Sequence, residues 1–315
     1  MKYHVTHVTE YGYGEVVPLS HNVLHLAPRD TWRQQCVWSK IDVAPEPAVV
    51  RQRTDFFGNH VAWLAIQEPH STLRVTSASE VDVEPLHLPD HFTGGPWEDA
   101  VNALRLRADT FTTDALQFTF DSPYIARHEK LADFARDSFT PSRPLLECVT
   151  DLTNRIYKEF RFDSSVTCVG TPVLDVLQHK HGVCQDFAHL QIGCLRSLGL
   201  AARYVSGYIV TDPQPGRDRL IGADASHAWL SVFFPGYGWI DFDPTNGLLP
   251  SDQHVTVAWA RDYDDLAPVK GVIIGGKRHS LRVGVDVIPI PDPESDAEPD
   301  APHRTTQAYT PQQQA

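Results

Sequence analysis

The chain has 315 residues, 42% of them apolar and 21% charged, enough to bury a sizeable core in two domains or one elaborated one. A formal net charge of −13 with no Lys/Arg run argues against nucleic acid or an anionic membrane surface as partner. No run of about 18 apolar residues could span a membrane. The opening MKYHVTHVTEYGYG lacks the apolar centre of a secretory signal, so the expected location is the cytoplasm.

Residues 1–88 read as an N-terminal β domain. Tyr3, Val5, Tyr11 and Tyr13 suit strands. Asp55-Phe56-Phe57-Gly58-Asn59 separates two apolar runs, as a hairpin turn does. From Leu73 to Glu84 the alternation puts Leu73, Val75, Ser77, Ser79, Val81 and Val83 on one face. Several such strands in succession predict a sandwich. The stretch Pro85–Pro96, with Pro89, Gly94 and Gly95, reads as a linker.

Residues 89–288 read as a mixed unit, which makes the chain α+β. Leu145, Val149, Leu152 and Ile156 repeat at helical spacing. Thr171-Pro172 predicts an N-cap followed by Pro at the first helical position, opening a helix to about His179. From Cys184 a stripe of Phe187, Leu190, Cys194, Leu195 and Leu198 predicts a further helix, with Gly182 before it and Gly199 ending it. Three strands are predicted next, Ala202–Val210, Ser226–Phe234 and Trp239–Asp243, the last two joined by a Pro235-Gly236-Tyr237-Gly238 turn. A final strand region spans Val255–Asp286. Residues 289–315, rich in Pro, acids and Gln, read as a disordered tail.

The five cysteines, Cys36, Cys148, Cys168, Cys184 and Cys194, are odd in number, widely spaced and without a CxxC pair. That disfavours a disulfide framework and a zinc site. Cys184 stands in the first turn of its helix, where unpaired N–H groups and the helix dipole favour a thiolate and could hold an oxyanion. Position alone fits a small buried cysteine better than a nucleophile. A thiol nucleophile needs a base, and His227 opens a strand further on, sharing a face with Trp229. The base needs an orienting carboxylate. Asp243 and Asp241 both end the neighbouring strand with the same parity, and periodicity does not choose between them.

Gly182-Val183-Cys184-Gln185-Asp186-Phe187-Ala188-His189, Ser226-His227-Ala228-Trp229, Pro235-Gly236-Tyr237-Gly238-Trp239 and Asp243-Pro244-Thr245 together resemble the bacterial transglutaminase-like cysteine peptidase family. Leu26-Ala27-Pro28-Arg29, Asp55–Asn59 and Pro69-His70 resemble its N-terminal β domain, and Arg261–Asp265 with Pro268 and Gly271 its C-terminal segment. The resemblance covers residues 1–288. It implies a papain/transglutaminase-like core, a nucleophile helix packed on an antiparallel sheet. It places the nucleophile at Cys184, the base at His227 and the orienting acid at Asp243. Ser231 and Ala260 depart from the family, where Glu and Gly are common. Neither is a triad position, so the departures bear on substrate contacts.

Gln185, Trp229 and Trp239 are candidates for a substrate groove, with core packing equally open for the tryptophans. Asp186 is read as a complement to the helix dipole, and His189, about 140° around the helix, as pointing away from the site. Thr211–Ala225 is either a lid or a surface loop. Asp262, Asp264 and Asp265 read as a solvated acidic turn, no EF-hand pattern is present, and no metal or cofactor is expected. The implied activity is hydrolysis of amide or peptide bonds through a thioester, on a protein or peptide substrate. The alternatives are acyl transfer to amines, or a binding scaffold that keeps the fold without catalysis.

Overall fold

The computed structural model describes residues 1–165, 169–210 and 225–291. Six strands come first: β1 (Lys2–Val17), β2 (Leu19–Leu24), β3 (Gln34–Ala44), β4 (Val49–Thr54), β5 (His60–Ile66) and β6 (His70–Val83). After the linker come α1 (Trp97–Leu106), α2 (Thr110–Ala115), a 3-10 turn (Leu116–Thr119), α3 (Glu129–Arg136), α4 (Leu145–Glu159), β7 (Arg161–Phe162), α5 (Val173–His179), β8 (His181–Gly182) and α6 (Cys184–Ser197). Then follow β9 (Ala202–Ile209), β10 (Ala225–Phe234), β11 (Gly238–Phe242), β12 (His254–Ala260), α7 (Tyr263–Leu266), β13 (Val269–Ile274) and β14 (His279–Ile290).

Two four-stranded sheets, ordered β14-β1-β6-β3 and β13-β2-β5-β4, form the sandwich. They meet through Leu24, Leu64 and Ile66 of one and Leu73 and Val75 of the other. The β6 alternation is realised: Leu73, Val75, Ser77, Ser79, Val81 and Val83 are all buried. The Asp55–Asn59 turn joins β4 to β5, with Asp55 Oδ1 accepting from the Phe57 and Asn59 N–H groups.

The chain returns to its start. β13 runs antiparallel to β2 and β14 antiparallel to β1, so two of the three strands in the predicted C-terminal region complete the N-terminal sheets, while β12 joins β9. Alternation marks a strand without naming its partner. β14 also runs through Pro289 and Ile290, beyond the point where the sequence suggests a tail, and residues 292–315 lie outside the described residues.

The other sheet, β11-β10-β9-β12, is antiparallel and carries α6 on one face. Ala228, Leu230, Val232 and Phe234 of β10 join the core with Phe187, Leu190 and Leu195 of α6. The expected apolar stripe understates this helix, because every residue from Asp186 to Arg196 is buried. Helices α3, α4 and α5 cover the side away from the sheet. Gln191 donates to Thr153 Oγ1 (2.7 Å), and the buried Arg196 donates to the Phe118, Ala202 and Arg261 carbonyls, so these buried donors find acceptors. At α5 the prediction shifts by one residue. Pro172, with ψ 138°, is itself the N-cap and the helix starts at Val173.

Candidate active site

The β7–β8 pair and the β8 strand lead into α6, and Val183 is its N-cap. Asp186 folds back so that its Oδ2 accepts the Val183 N–H at 2.9 Å. A carboxylate in the first turn satisfies one of the orphan donors and suits the dipole. Gly182 makes room for it, since a Cβ there would stand 2.8 Å from Asp186 Cβ. Cys184 is the first helical residue, half-buried, and lines the same cleft as His227, close enough for its thiol to raise the histidine's pKa.

His227 sits opposite Gly207 in the β9–β10 register. A Cβ at Gly207 would collide with the Val255 carbonyl and lie 2.5 Å from the Trp229 ring, so only glycine lets β12 and Trp229 close around the histidine. His227 Nε2 meets Asp243 Oδ2 at 2.7 Å, which leaves Nδ1 as the ring nitrogen for Cys184. Asp243 is fully buried and accepts four further bonds. Asn246 Nδ2 (2.7 Å) and His254 Nε2 (3.2 Å) reach Oδ2, and the Thr245 and Asn246 N–H groups reach Oδ1 (2.9 and 3.2 Å). Burial alone would raise its pKa. The His227 charge and hydrogen bond, with those of His254, win and hold it far below the usual carboxylate range. Burial works against the His227 cation, yet Asp243 and then Cys184 raise its pKa to about 10. In His254 burial outweighs Asp243 and the pKa is lowered.

Asp241, of like parity, does not reach His227. It accepts from Ser231 Oγ and lies 3.9 Å from Arg33 Nη2. His189 points away, its Nε2 accepting the Tyr263 N–H, and burial lowers its pKa to about 3. The acidic turn is not solvated throughout. Asp262 is fully buried, caps α7 and accepts the Tyr124 N–H at 2.7 Å. The ligand atoms of His227, Asp243 and His254 lie within 4.8 Å of one another, so these three could also hold a metal ion, at the expense of the hydrogen bonds that fix His227.

Cys184 and His227 open into a cleft of ≈ 240 Å³. Gln185 lines it, with its Nε2 donating to the Val169 carbonyl. The opposite wall comes from the N-terminal sheet: His7, Thr9 and Tyr11 of β1 and Leu281 and Val283 of β14. Trp229 is wholly buried beside His227, rings 6.0 Å apart, and does not line the cleft. Trp239 lines a separate cavity. Thr211–Ala225, read as either a lid or a surface loop, lies outside the described residues up to 224. Sequence reasoning missed His254, Asn246, His7 and Tyr204, all at this site. Asn246 alone carried a signal, following the Asp243-Pro244-Thr245 turn.

A family model for the bacterial transglutaminase-like N-terminal region matches residues 3–82, and one for the transglutaminase-like superfamily matches residues 132–244. An uncharacterized protein of Mycobacterium tuberculosis is 43% identical over 293 residues, 91% of this chain and 93% of the relative. An uncharacterized protein of Mycobacterium leprae is 31% identical over 286 residues, 90% and 97% respectively. The protein-glutamine gamma-glutamyltransferase of Pseudomonas aeruginosa is 27% identical over 146 residues, 45% of this chain and 22% of that protein. A crystal structure from Cytophaga hutchinsonii, named a "putative cysteine protease", shares the fold with a TM-score of 0.70 at 22% identity, over 93% of this chain and 92% of the other. The chain belongs to the transglutaminase-like superfamily, with the bacterial transglutaminase-like N-terminal region ahead of its core.

Proposed function

We propose that the protein is a cysteine-nucleophile enzyme that hydrolyses amide or peptide bonds, with Cys184 as nucleophile, His227 as general base and Asp243 as its orienting acid. The observation that carries the reading is the row Cys184–His227–Asp243, with the sulfur at a helix N-terminus and the carboxylate buried. His227 takes the thiol proton, and the sulfur attacks the carbonyl carbon. The developing oxyanion faces the Cys184 backbone N–H. His227 then passes the proton to the leaving amine as the C–N bond breaks, leaving a thioester. Water attacks the thioester carbonyl, releasing the acid and the free thiol. Peptides or proteins are the proposed substrates, held between Cys184 and the β1–β14 face of the cleft. The described cysteines Cys36, Cys148, Cys184 and Cys194 are free thiols, which suits a reducing compartment, and we place the protein in the cytoplasm.

Alkylation with limiting iodoacetamide tests the reading. Cys184 is expected to react faster than the other cysteines, and His227→Ala to remove that advantage. Equal labelling in the wild-type chain would count for a scaffold without catalysis. The likeness to the Pseudomonas glutamyltransferase favours a second outcome for the same thioester, capture by an amine. Incorporation of a labelled primary amine into product separates transfer from hydrolysis.

A further inference from the structure

The separate cavity encloses ≈ 820 Å³, a size suited to a small molecule, and the chemistry proposed for Cys184 does not use it. Arg203 of β9, 8% exposed, forms part of its wall. No hydrogen bond or ion pair reaches this guanidinium among the described residues, and its Nε is buried without a partner. Rings hold it instead: it lies over Trp239 at 4.2 Å and over Trp259 at 3.7 Å. Arg29 stacks on the same Trp259 at 3.2 Å, but is engaged by the Phe57 carbonyl and Asn59 Oδ1.

A buried, charged donor set without acceptors is costly to fold. Covered on its faces by indoles, the guanidinium offers its N–H edge, the geometry that grips a carboxylate through two parallel bonds. Burial lowers the Arg203 pKa only to about 9, so it is cationic at neutral pH. Asp241 shares the cavity without forming an ion pair to Arg203, and its own contacts are Ser231 and Arg33. Asp109 and Asp114 also line the cavity, which disfavours a second negative charge on an occupant. The exposed side chains of Trp32 (61%) and Phe111 (74%) supply apolar wall beside Phe233.

We propose that this cavity binds a small monocarboxylate with an aromatic or branched apolar body, the carboxylate on Arg203 and the body against Trp239 and Phe111. The site does not depend on Cys184. Titration of the full chain with 3-phenylpropanoate and with its neutral isostere 3-phenylpropanamide, read by tryptophan emission and calorimetry, tests it. The acid is expected to saturate and to bind at least about tenfold more tightly than the amide. Cys184→Ala should leave this binding unchanged, which separates the cavity from the catalytic cleft. Arg203→Lys should bring the acid down to the amide's affinity. Phe111→Ala, at an exposed position that folding tolerates, should weaken both ligands and covers the case in which Arg203→Lys does not fold. Equal binding of acid and amide, loss of binding in Cys184→Ala, or no saturation by about 10 mM would overturn the proposal.

Discussion

Asp243 Oδ2 gathers three N–H donors, from His227, His254 and Asn246, and Oδ1 two backbone N–H groups from its own turn. That crowding fixes the carboxylate, and the carboxylate fixes the His227 ring with Nδ1 toward Cys184. Asp243→Asn replaces an acceptor oxygen with an amide group and breaks the tautomer. Turnover is expected to fall about 10³-fold or more with the fold kept, checked by steady-state kinetics beside circular dichroism. Asn246→Ala removes one of five donors and should cost far less. Gly207→Ala should lower activity by displacing His227 and Trp229, which a crystal structure of the variant would reveal. Cys184, His227 and Asp243, which the structure brings together, are each singled out by a short motif, Asp243 over Asp241 only by the Asp243-Pro244-Thr245 resemblance. His254 is not, because it arrives on β12 from outside every motif.

Helix α6 is the element on which the site rests. Its apolar stripe predicts one buried face, but an amphipathic pattern cannot show that α3, α4 and α5 cover the remaining faces. Leu190→Ala in this fully packed helix is expected to cost about 2–5 kcal/mol, measured by urea unfolding. Strand β12 is the sheet's edge, and two side-chain amides serve as its missing neighbour. Gln34 donates to the Thr256 carbonyl (2.7 Å) and accepts its N–H (2.8 Å), while Asn59 does the same for Trp259 (2.9 and 3.0 Å). Covering an edge in this way blocks pairing with another chain. Gln34→Ala leaves two backbone groups unpaired and should cost about 1–3 kcal/mol, together with a rise in aggregation seen by light scattering.

At the scale of the molecule, the N-terminal sandwich and the superfamily core share one apolar interior. Tyr3, Val5, Val81, Val83, Val285 and Val287 pack in the same cluster as Tyr208 and Val255. The final strand region was legible, with the Leu281–Val287 alternation marking β14, but the pairing of β13 and β14 with β2 and β1 was not, since pairing across the chain leaves no local pattern. His7 lies at this seam, bonded to Tyr208 Oη (3.0 Å) and Thr9, and burial lowers its pKa to about 4. A histidine with a folded pKa below its unfolded value leaves stability full above about pH 6.5. The unfolded chain then takes up the proton first, so stability falls as pH drops toward 4, by about 3 kcal/mol for His7. His189 adds to the fall in the same direction. The urea midpoint is therefore expected to drop steeply between pH 6.5 and 4, less so in His7→Asn.

In the proposed chemistry a substrate acyl group passes through a thioester on Cys184. Acid quenching during turnover of an activated peptide ester, followed by mass spectrometry of the digested chain, tests it most directly. An acyl adduct is expected on the peptide containing Cys184, absent from Cys184→Ala and slow to form in His227→Ala. Product release by Cys184→Ala at the wild-type rate, or an adduct on another cysteine alone, would contradict it.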